Sequence, residues 1–432
     1  MARDESHEFE LEAGDELRFE VLAKTNDRVL VTVRIGMAEY FGADLVPGWS
    51  YDFASGAVVA IYTKQGCVLE VEGKTSFMYV GKNTPMPLYC NFHTSLEFKR
   101  LNAITEHSYG PTVMVVGHAD SGKTSLCRIL LNYSVNNSHK PMFVDLDVMR
   151  GYIGPPGTIG ASQVERKTQK DTDLFHKDPL IYHYGHSCQQ TNGTLYGMLI
   201  TELARTVRLQ RSVSDTVKSS GIIINTSSWT RGEGYAHLLH TAKVFEVNII
   251  IILDLERLYH ELLRDVPNSV HLLSLPKSGG VVQRCFFDRL EESNRRLKEF
   301  FYGTTECQIS PQTIVLNWCD IRLYKIGCDT VPESCMPYGM KTIDHLTKLI
   351  AIEPSKKIEN HLISVSPEHE DEHDIITKRS ESIICVLSVD CENKTMTVLK
   401  PSEGPLTNNV LLLSDLEFLD RRDLEEEMLM EI

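Results

Sequence analysis

Apolar and polar positions change texture twice along this chain. Between residue 9 and about residue 100 they alternate, or run apolar in short pieces. LRFEV (17–21), RVLVTVRI (28–35), AVVAIYT (57–63), CVLEVEG (67–73) and SFMYVG (76–81) are the clearest. Turn-prone TND, VPG, ASG, KQG and EGK separate them. Short strands at near-regular spacing predict a β-sandwich or barrel over this whole stretch.

From Pro111 the pattern becomes apolar strand, turn, helix, strand. TVMVV (112–116) reads as a strand, GHADSGKT (117–124) as a glycine-bearing turn and SLCRILLNYSV (125–135) as a helix. MFVDLDV (142–148), IIINT (222–226) and VNIIIILDLE (247–256) read as further strands, and GMLITELARTVRLQ (197–210) as a helix. Buried apolar strands alternating with helices predict a doubly wound, mostly parallel α/β sheet. After Gly303 short strands return: TIVLNW (313–318), IRLYKIG (321–327), SIICVLSVD (382–390), MTVLKP (396–401) and NVLLLSDLEFLD (409–420). The polar stretch 364–382 between them reads as an exposed loop, with His369 and His373 solvated among acids rather than holding a metal. The tail from residue 421 is acidic and reads as a short helix.

The chain has 432 residues, enough for about three domains, and 42% are hydrophobic. A net charge of −15 argues against a protein that coats duplex nucleic acid, though not against one that seizes a nucleic-acid end in a local basic pocket. The densest apolar run, Val247–Leu253, is far short of the ~18 residues a membrane span needs. The acidic N-terminus does not read as a signal peptide. Eleven cysteines without a Cys-x-x-Cys pair fit reduced thiols in cytosol or nucleus and argue against a zinc ribbon.

The most specific chemistry is Gly117-His118-Ala119-Asp120-Ser121-Gly122-Lys123-Thr124, a G-x-x-x-x-G-K-[ST] phosphate loop in the required strand–turn–helix context and followed by Ser125. Gly117 and Gly122 permit the tight backbone whose N–H groups face phosphate, and the helix adds its positive end. Lys123 is placed to reach the β- and γ-phosphates, and the Thr124 hydroxyl to reach Mg²⁺. Asp145 and Asp147 stand at the carboxyl end of the next strand, on one face, where ligands of doubly wound sheets sit. One carboxylate suits Mg²⁺, here Asp145, and the other a hydroxyl proton. Asp254, closing the run IIIILD, is a rival for the metal role. The α/β region lacks an Asn-Lys-x-Asp guanine signature, which weakens a small-GTPase reading.

These strings, with GMAEYFGADL (36–45), PGTIGA (156–161), INTSSWTRGEGY (224–235), LPKSGGVVQR (275–284) and SCMPYGM (334–340), resemble one family along the whole chain. It is the eukaryotic polyribonucleotide 5′-hydroxyl kinases that are also subunits of pre-mRNA cleavage complex II. The resemblance implies a multidomain α/β protein: an N-terminal β-sandwich (1–102), a central P-loop kinase domain with a lid (103–305) and a small C-terminal α/β domain (306–432). It implies ATP and Mg²⁺ as cofactors and an RNA 5′-hydroxyl end as substrate. It also implies the other cleavage-complex subunits and the tRNA-splicing endonuclease as partners, a nuclear location and no membrane. Carried over residue by residue, Asp147 activates the hydroxyl, and Arg284 and Arg289 are lid arginines. Trp229 stacks on the terminal base with Arg231 beside it. Ser187 and Asn192 belong to a clasp around RNA, and Glu16 and Lys74 recognise adenine.

The chain also departs from the family pattern. Met149-Arg150 stand where many members carry Gly-Gln, and Ser293 where a further lid arginine is expected, with Arg295 and Arg296 close by. His118 replaces a common proline, and the clasp 187–192 lacks one. These changes keep a second expectation in view: an ATP-binding scaffold of the cleavage complex with weak or no turnover.

Overall fold

The computed structural model describes residues 6–22, 28–167, 178–304, 307–327, 345–367 and 372–418. The string SCMPYGM, the acidic tail, His369 and the side chain of His373 lie outside the described residues.

The N-terminal strands form two facing sheets. One carries β1 (Ser6–Leu11), β8 (Cys67–Glu72), β3 (Val29–Gly36) and β6 (Ser50–Phe53) in that order. The other carries β5 (Ala43–Leu45), β4 (Ala38–Tyr40), β7 (Val58–Tyr62), β2 (Glu16–Val21) and β9 (Thr75–Gly81). Alternation decides which side is core: Leu17, Phe19 and Val21 of β2 meet Val29, Val31 and Val33 of β3 inside the sandwich. The other face of β2, Glu16 and Arg18, is buried as well, because the sandwich leans on the central unit.

The expectation of strands up to residue 100 is corrected at one place. MPLYCNFHTSLEFKRLNAIT is helix α1 (Met86–Thr105), entered through Pro85, with Met86, Tyr89, Phe92 and Leu96 buried along one stripe. That stripe packs on α2 (Lys123–Asn136), so tertiary contact holds a helix whose own sequence is weakly amphipathic.

The central sheet has seven strands. Five are parallel in the order β11 (Met142–Asp145), β14 (Ile222–Asn225), β10 (Thr112–Gly117), β15 (Ile249–Leu253) and β16 (His271–Leu275). β12 (Thr158–Gln163) and β13 (Leu180–His183) extend it antiparallel beyond β11. Alternate residues of the parallel strands face opposite layers. Met114, Val144, Ile224 and Ile250 pack under α3 (Gly193–Val213), α5 (Glu233–Val244) and α6 (Glu256–Asp265). Val113, Phe143, Ile223 and Ile251 pack under α1 and α2. This is the doubly wound arrangement that the apolar runs predict, and the short α4 (Asp215–Ser220) precedes β14. Because α2 leads from β10 across to β11, while β15 lies on the other side of β10, the chain opens a crevice at the carboxyl end of β10.

Beyond α7 (Phe286–Tyr302) stands a fourth sheet, of seven strands. Its order is β17 (Gln312–Asn317), β22 (Thr395–Lys400), β21 (Ser382–Asp390), β20 (His361–Ser366), β23 (Val410–Glu417), β18 (Arg322–Ile326) and β19 (Leu349–Ala351). Residues 364–382 are not one exposed loop. Glu372–Thr377 forms helix α8, and Ile375 and Ile376 are buried against the central core, the apolar pair paying for the order of an otherwise polar stretch. Ser414 Oγ donates to the Gly185 carbonyl at 2.9 Å and His186 Nδ1 lies 2.6 Å from Asp415 Oδ2, tying this sheet to the central unit. Among the described residues no helix is long and apolar enough to cross a membrane.

Candidate nucleotide-binding site

The turn between β10 and α2 has the backbone its sequence demands. Gly122 sits at φ +86°, a left-handed conformation open to glycine, and caps α2. A Cβ on Gly117 would stand 2.5 Å from Ser121 Oγ and 3.2 Å from Leu253 Cβ, so a side chain there would push the Ser121 hydroxyl off its place in the loop. Asp120, at the tip, also has positive φ (+54°). Lys123 folds back over the loop, its Nζ donating to the Gly117 carbonyl at 2.9 Å and the His118 carbonyl at 2.8 Å. Burial lowers its pKa to about 8, partly offset by the carboxylate of Asp147.

A cleft opens above the loop, between the sandwich and the central sheet. Counting its open mouth, it spans about 1760 Å³. Five cations, Lys123, Arg128, Arg150, Arg284 and Arg289, line it against three carboxylates, Glu16, Asp120 and Asp147. A chain of net charge −15 thus carries one locally cationic cavity, the electrostatic preference of an anion site.

Residues 119–125 of the loop, Asp147, Arg284, Arg289 and Glu16 come together on this cleft. Asp147 Oδ1 accepts from the Met149 amide at 3.3 Å and from Gln189 Nε2 at 3.5 Å. Asp120 is gripped from two sides: Arg289 Nη2 donates to Oδ2 at 2.6 Å and Arg150 Nη2 to Oδ1 at 3.3 Å, with the Arg284 amide on Oδ2 at 3.1 Å. Glu16 Oε2 accepts from Arg18 Nη2 at 2.6 Å and Nε at 3.0 Å, and Arg18 Nη2 also reaches Ser278 Oγ at 3.3 Å. With Glu16, the sandwich side of the cleft carries the rings of Phe41 and Tyr62, and Tyr89 of α1 lines it too; burial pushes the Tyr62 hydroxyl up to about 12.

Several expected site residues stand elsewhere. Gly117 supports the loop from behind, and His118 is exposed, offering its carbonyl to Lys123. Asp145 is buried behind the cleft and saturated by Asn225 Nδ2 at 2.8 Å, the Asp147 amide at 3.2 Å and the Tyr152 amide at 3.3 Å. Burial, then the charge of Asp147, raises its pKa to about 7. Asp254 is exposed at φ +53° and does not line the cleft. Lys74 is exposed just before β9, whose first residue pairs with Val21, whereas Glu16 pairs with Gly81. The two are thus separated by the strand length, roughly 20 Å. Asn192 is buried and spent on structure: its Oδ1 caps α3 at the Leu195 amide (3.0 Å) and its Nδ2 donates to the Leu346 carbonyl (2.6 Å). Ser187 and Arg231 are exposed away from the cleft lining. Trp229 is half-buried beside Ser228, which does line the cleft; its ring lies 5.4 Å from that of His237 and rests against Gly234.

Sequence reasoning overlooked Arg18, Gln189 and Ser278, and gave Arg150 only as a departure. Arg18 had a visible signal: a charged residue on the non-core face of a strand whose neighbour Glu16 was already a candidate. Gln189 and Ser278 lie in irregular segments without periodicity to place them.

Comparison with known proteins follows the same order along the chain. An N-terminal beta-sandwich domain of polyadenylation factor matches residues 10–103, and the P-loop of mRNA cleavage and polyadenylation factor CLP1 matches residues 117–303. The pre-mRNA cleavage complex II protein Clp1 matches residues 309–420. A Protein CLP1 homolog of Anopheles gambiae is 45% identical over 96% of this chain and 97% of its own length. Its counterpart in Drosophila melanogaster is 44% identical over 97% and 99%. A solved Clp1p–Pcf11p complex has the same fold, with a TM-score of 0.83 at 22% identity over 96% of this chain and 100% of that one. A sandwich, a P-loop sheet and a C-terminal sheet in this order, matched end to end at this identity, make the chain a member of the Clp1 family of pre-mRNA cleavage complex II proteins.

Proposed function

We propose that the chain is an ATP-dependent kinase of RNA 5′-hydroxyl ends, acting as a nuclear subunit of the pre-mRNA cleavage complex and in tRNA splicing. The observation that carries the reading is the convergence of Lys123, Asp147, Arg284 and Arg289 on one cationic cleft above the phosphate loop. The residues fit a triphosphate: Gly122 gives the loop its left-handed turn at the head of α2, and Lys123 lies among carbonyls that it would leave for phosphate oxygens. They also fit Mg²⁺, which when bound neutralises charge between the β- and γ-phosphates. The Thr124 hydroxyl would hold it, with phosphate oxygens supplying most of the remaining ligands. Asp145, saturated by three protein donors, would act behind it by fixing Asp147 through the Asp147 amide.

In this reading Asp147 accepts the hydroxyl proton, and Gln189 holds its carboxylate in place. Lys123, Arg284 and Arg289 stabilise charge on the transferring group. Glu16 and the aromatic end of the cleft take the base of the nucleotide. Trp229, partly buried beside Ser228 at the rim, would turn its ring to a terminal base, and Arg231 would give a charge for the backbone.

A labelled-ATP assay on a 5′-hydroxyl oligoribonucleotide tests this. Wild type transfers label, Lys123→Ala does not, and Asp147→Asn is slower by about 10²–10⁴. No transfer by wild type, with nucleotide still bound, sinks the kinase and leaves the second reading, a nucleotide-holding scaffold of the cleavage complex. That reading is favoured by one contact: Asp120 already occupies two of the phosphate-seeking arginines.

A further inference from the structure

We propose that Arg150 is a direct ligand of the terminal phosphate of a bound nucleoside triphosphate, a cation supplied from the floor of the cleft rather than from its lid. The inference rests on the reading of the cleft as a triphosphate site.

Beyond Arg289, the lid helix α7 supplies no further charge to the cleft. Ser293 has none. Arg295 is paired with Glu292 at 2.7 Å and with Glu299 at 2.5 Å. Arg296, 2% exposed, lies across the Tyr152 ring at 5.0 Å and is bound to Glu292 at 3.2 Å. Neither lines the cleft, so among the described residues α7 and the segment leading into it provide only Arg284 and Arg289. Of the other lining cations, Arg128 stands at the far end, over the rings of Tyr40 and Phe41 at 4.8 and 5.1 Å.

Arg150 is where a further cation is wanted. It follows Asp147 by three residues, lines the cleft with Lys123, and keeps a side chain 22% exposed. Tyr152, Asp147 and Asp120 together hold its pKa above the usual arginine range, so it stays charged. Its contacts to Asp120 Oδ1, at 3.3 Å, and to the Tyr152 side chain use two of five N–H donors, and Asp120 must also serve Arg289. Two guanidiniums around one carboxylate leave donors facing the space above the loop, where a terminal phosphate is a better match for planar forks.

The test is equilibrium binding of Mg²⁺ complexes of a non-hydrolysable ATP analogue and of ADP to the full chain. Arg150→Gln is expected to weaken the triphosphate analogue tenfold or more and ADP less than threefold, while Arg150→Lys recovers part of the difference. Asp120→Asn, which leaves Arg150 in place, keeps the triphosphate preference. Equal weakening of both nucleotides by Arg150→Gln, or no weakening, overturns the inference. So does loss of the preference in Asp120→Asn, since Arg150 would then act only through Asp120. A wild type that binds neither nucleotide sinks the reading of the cleft itself.

Discussion

Lys123 is charged at neutral pH although its burial opposes that charge, and its pKa of about 8 is a consequence. Phosphate binding requires the protonated form. Nucleotide affinity is therefore flat below about pH 8 and falls, by up to tenfold per unit, as pH rises above it. Calorimetric titrations between pH 7 and 9.5 would show that slope, and a flat profile would contradict it. Asp145 has the opposite sign. Its folded pKa of about 7 lies above its unfolded value, so its contribution to stability is whole below about pH 4 and is lost as pH rises through 7. Asp145→Asn should flatten the loss of stability between about pH 4 and 7 relative to wild type, read by urea denaturation at each pH.

Helix α3 begins at Asn192, and that one side chain joins two elements. It caps the helix and holds the Leu346 carbonyl from the segment before β19. Asn192→Ala should cost about 1–3 kcal/mol, combining a lost cap with an unpaired buried carbonyl. Asn192→Asp keeps the cap but turns a carboxylate toward that carbonyl, so it should recover only part. If Asn192→Ala left stability unchanged while lowering RNA affinity, the side chain would belong to substrate binding instead. The phosphate loop is the opposite kind of element. Its motif, its glycine conformations and its flanking strand and helix were all legible in the sequence, because each is a local backbone requirement. Helix α1 was not legible, because its packing partner α2 lies some 30 residues on and its own pattern is weak.

The cleft exists because the sandwich is held against the central sheet. Tyr133 of α2 donates to Glu39 of β4, whose other oxygen meets Lys64 at 3.0 Å, and the Lys64 ammonium lies 4.4 Å from the Tyr133 ring centre. Burial and the Glu39 charge push the Tyr133 hydroxyl well above the usual tyrosine range, so it remains a donor. Tyr133→Phe removes that donor from a nearly buried carboxylate and should cost about 1–3 kcal/mol of stability. It should also weaken nucleotide binding, because this contact is one of those that hold Glu16 and Tyr62 of the sandwich at the cleft. Unchanged denaturation and affinity in this variant would show that the sandwich docks by other means.

By itself the sequence determined the phosphate loop, the doubly wound sheet around it, the flanking β-rich regions and the family. All of these follow from local periodicity, from backbone conformations only certain residues adopt, or from strings shared along the chain. Tertiary structure alone decided which candidates share a cavity. Glu16 and the loop meet across about a hundred residues, while Glu16 and Lys74 are kept apart by the length of one strand. Asp145 and Asp147, two apart in sequence, are divided between a buried hydrogen-bond knot and the open cleft. Burial and partner geometry assign those roles, and neither is a property of residue type or spacing.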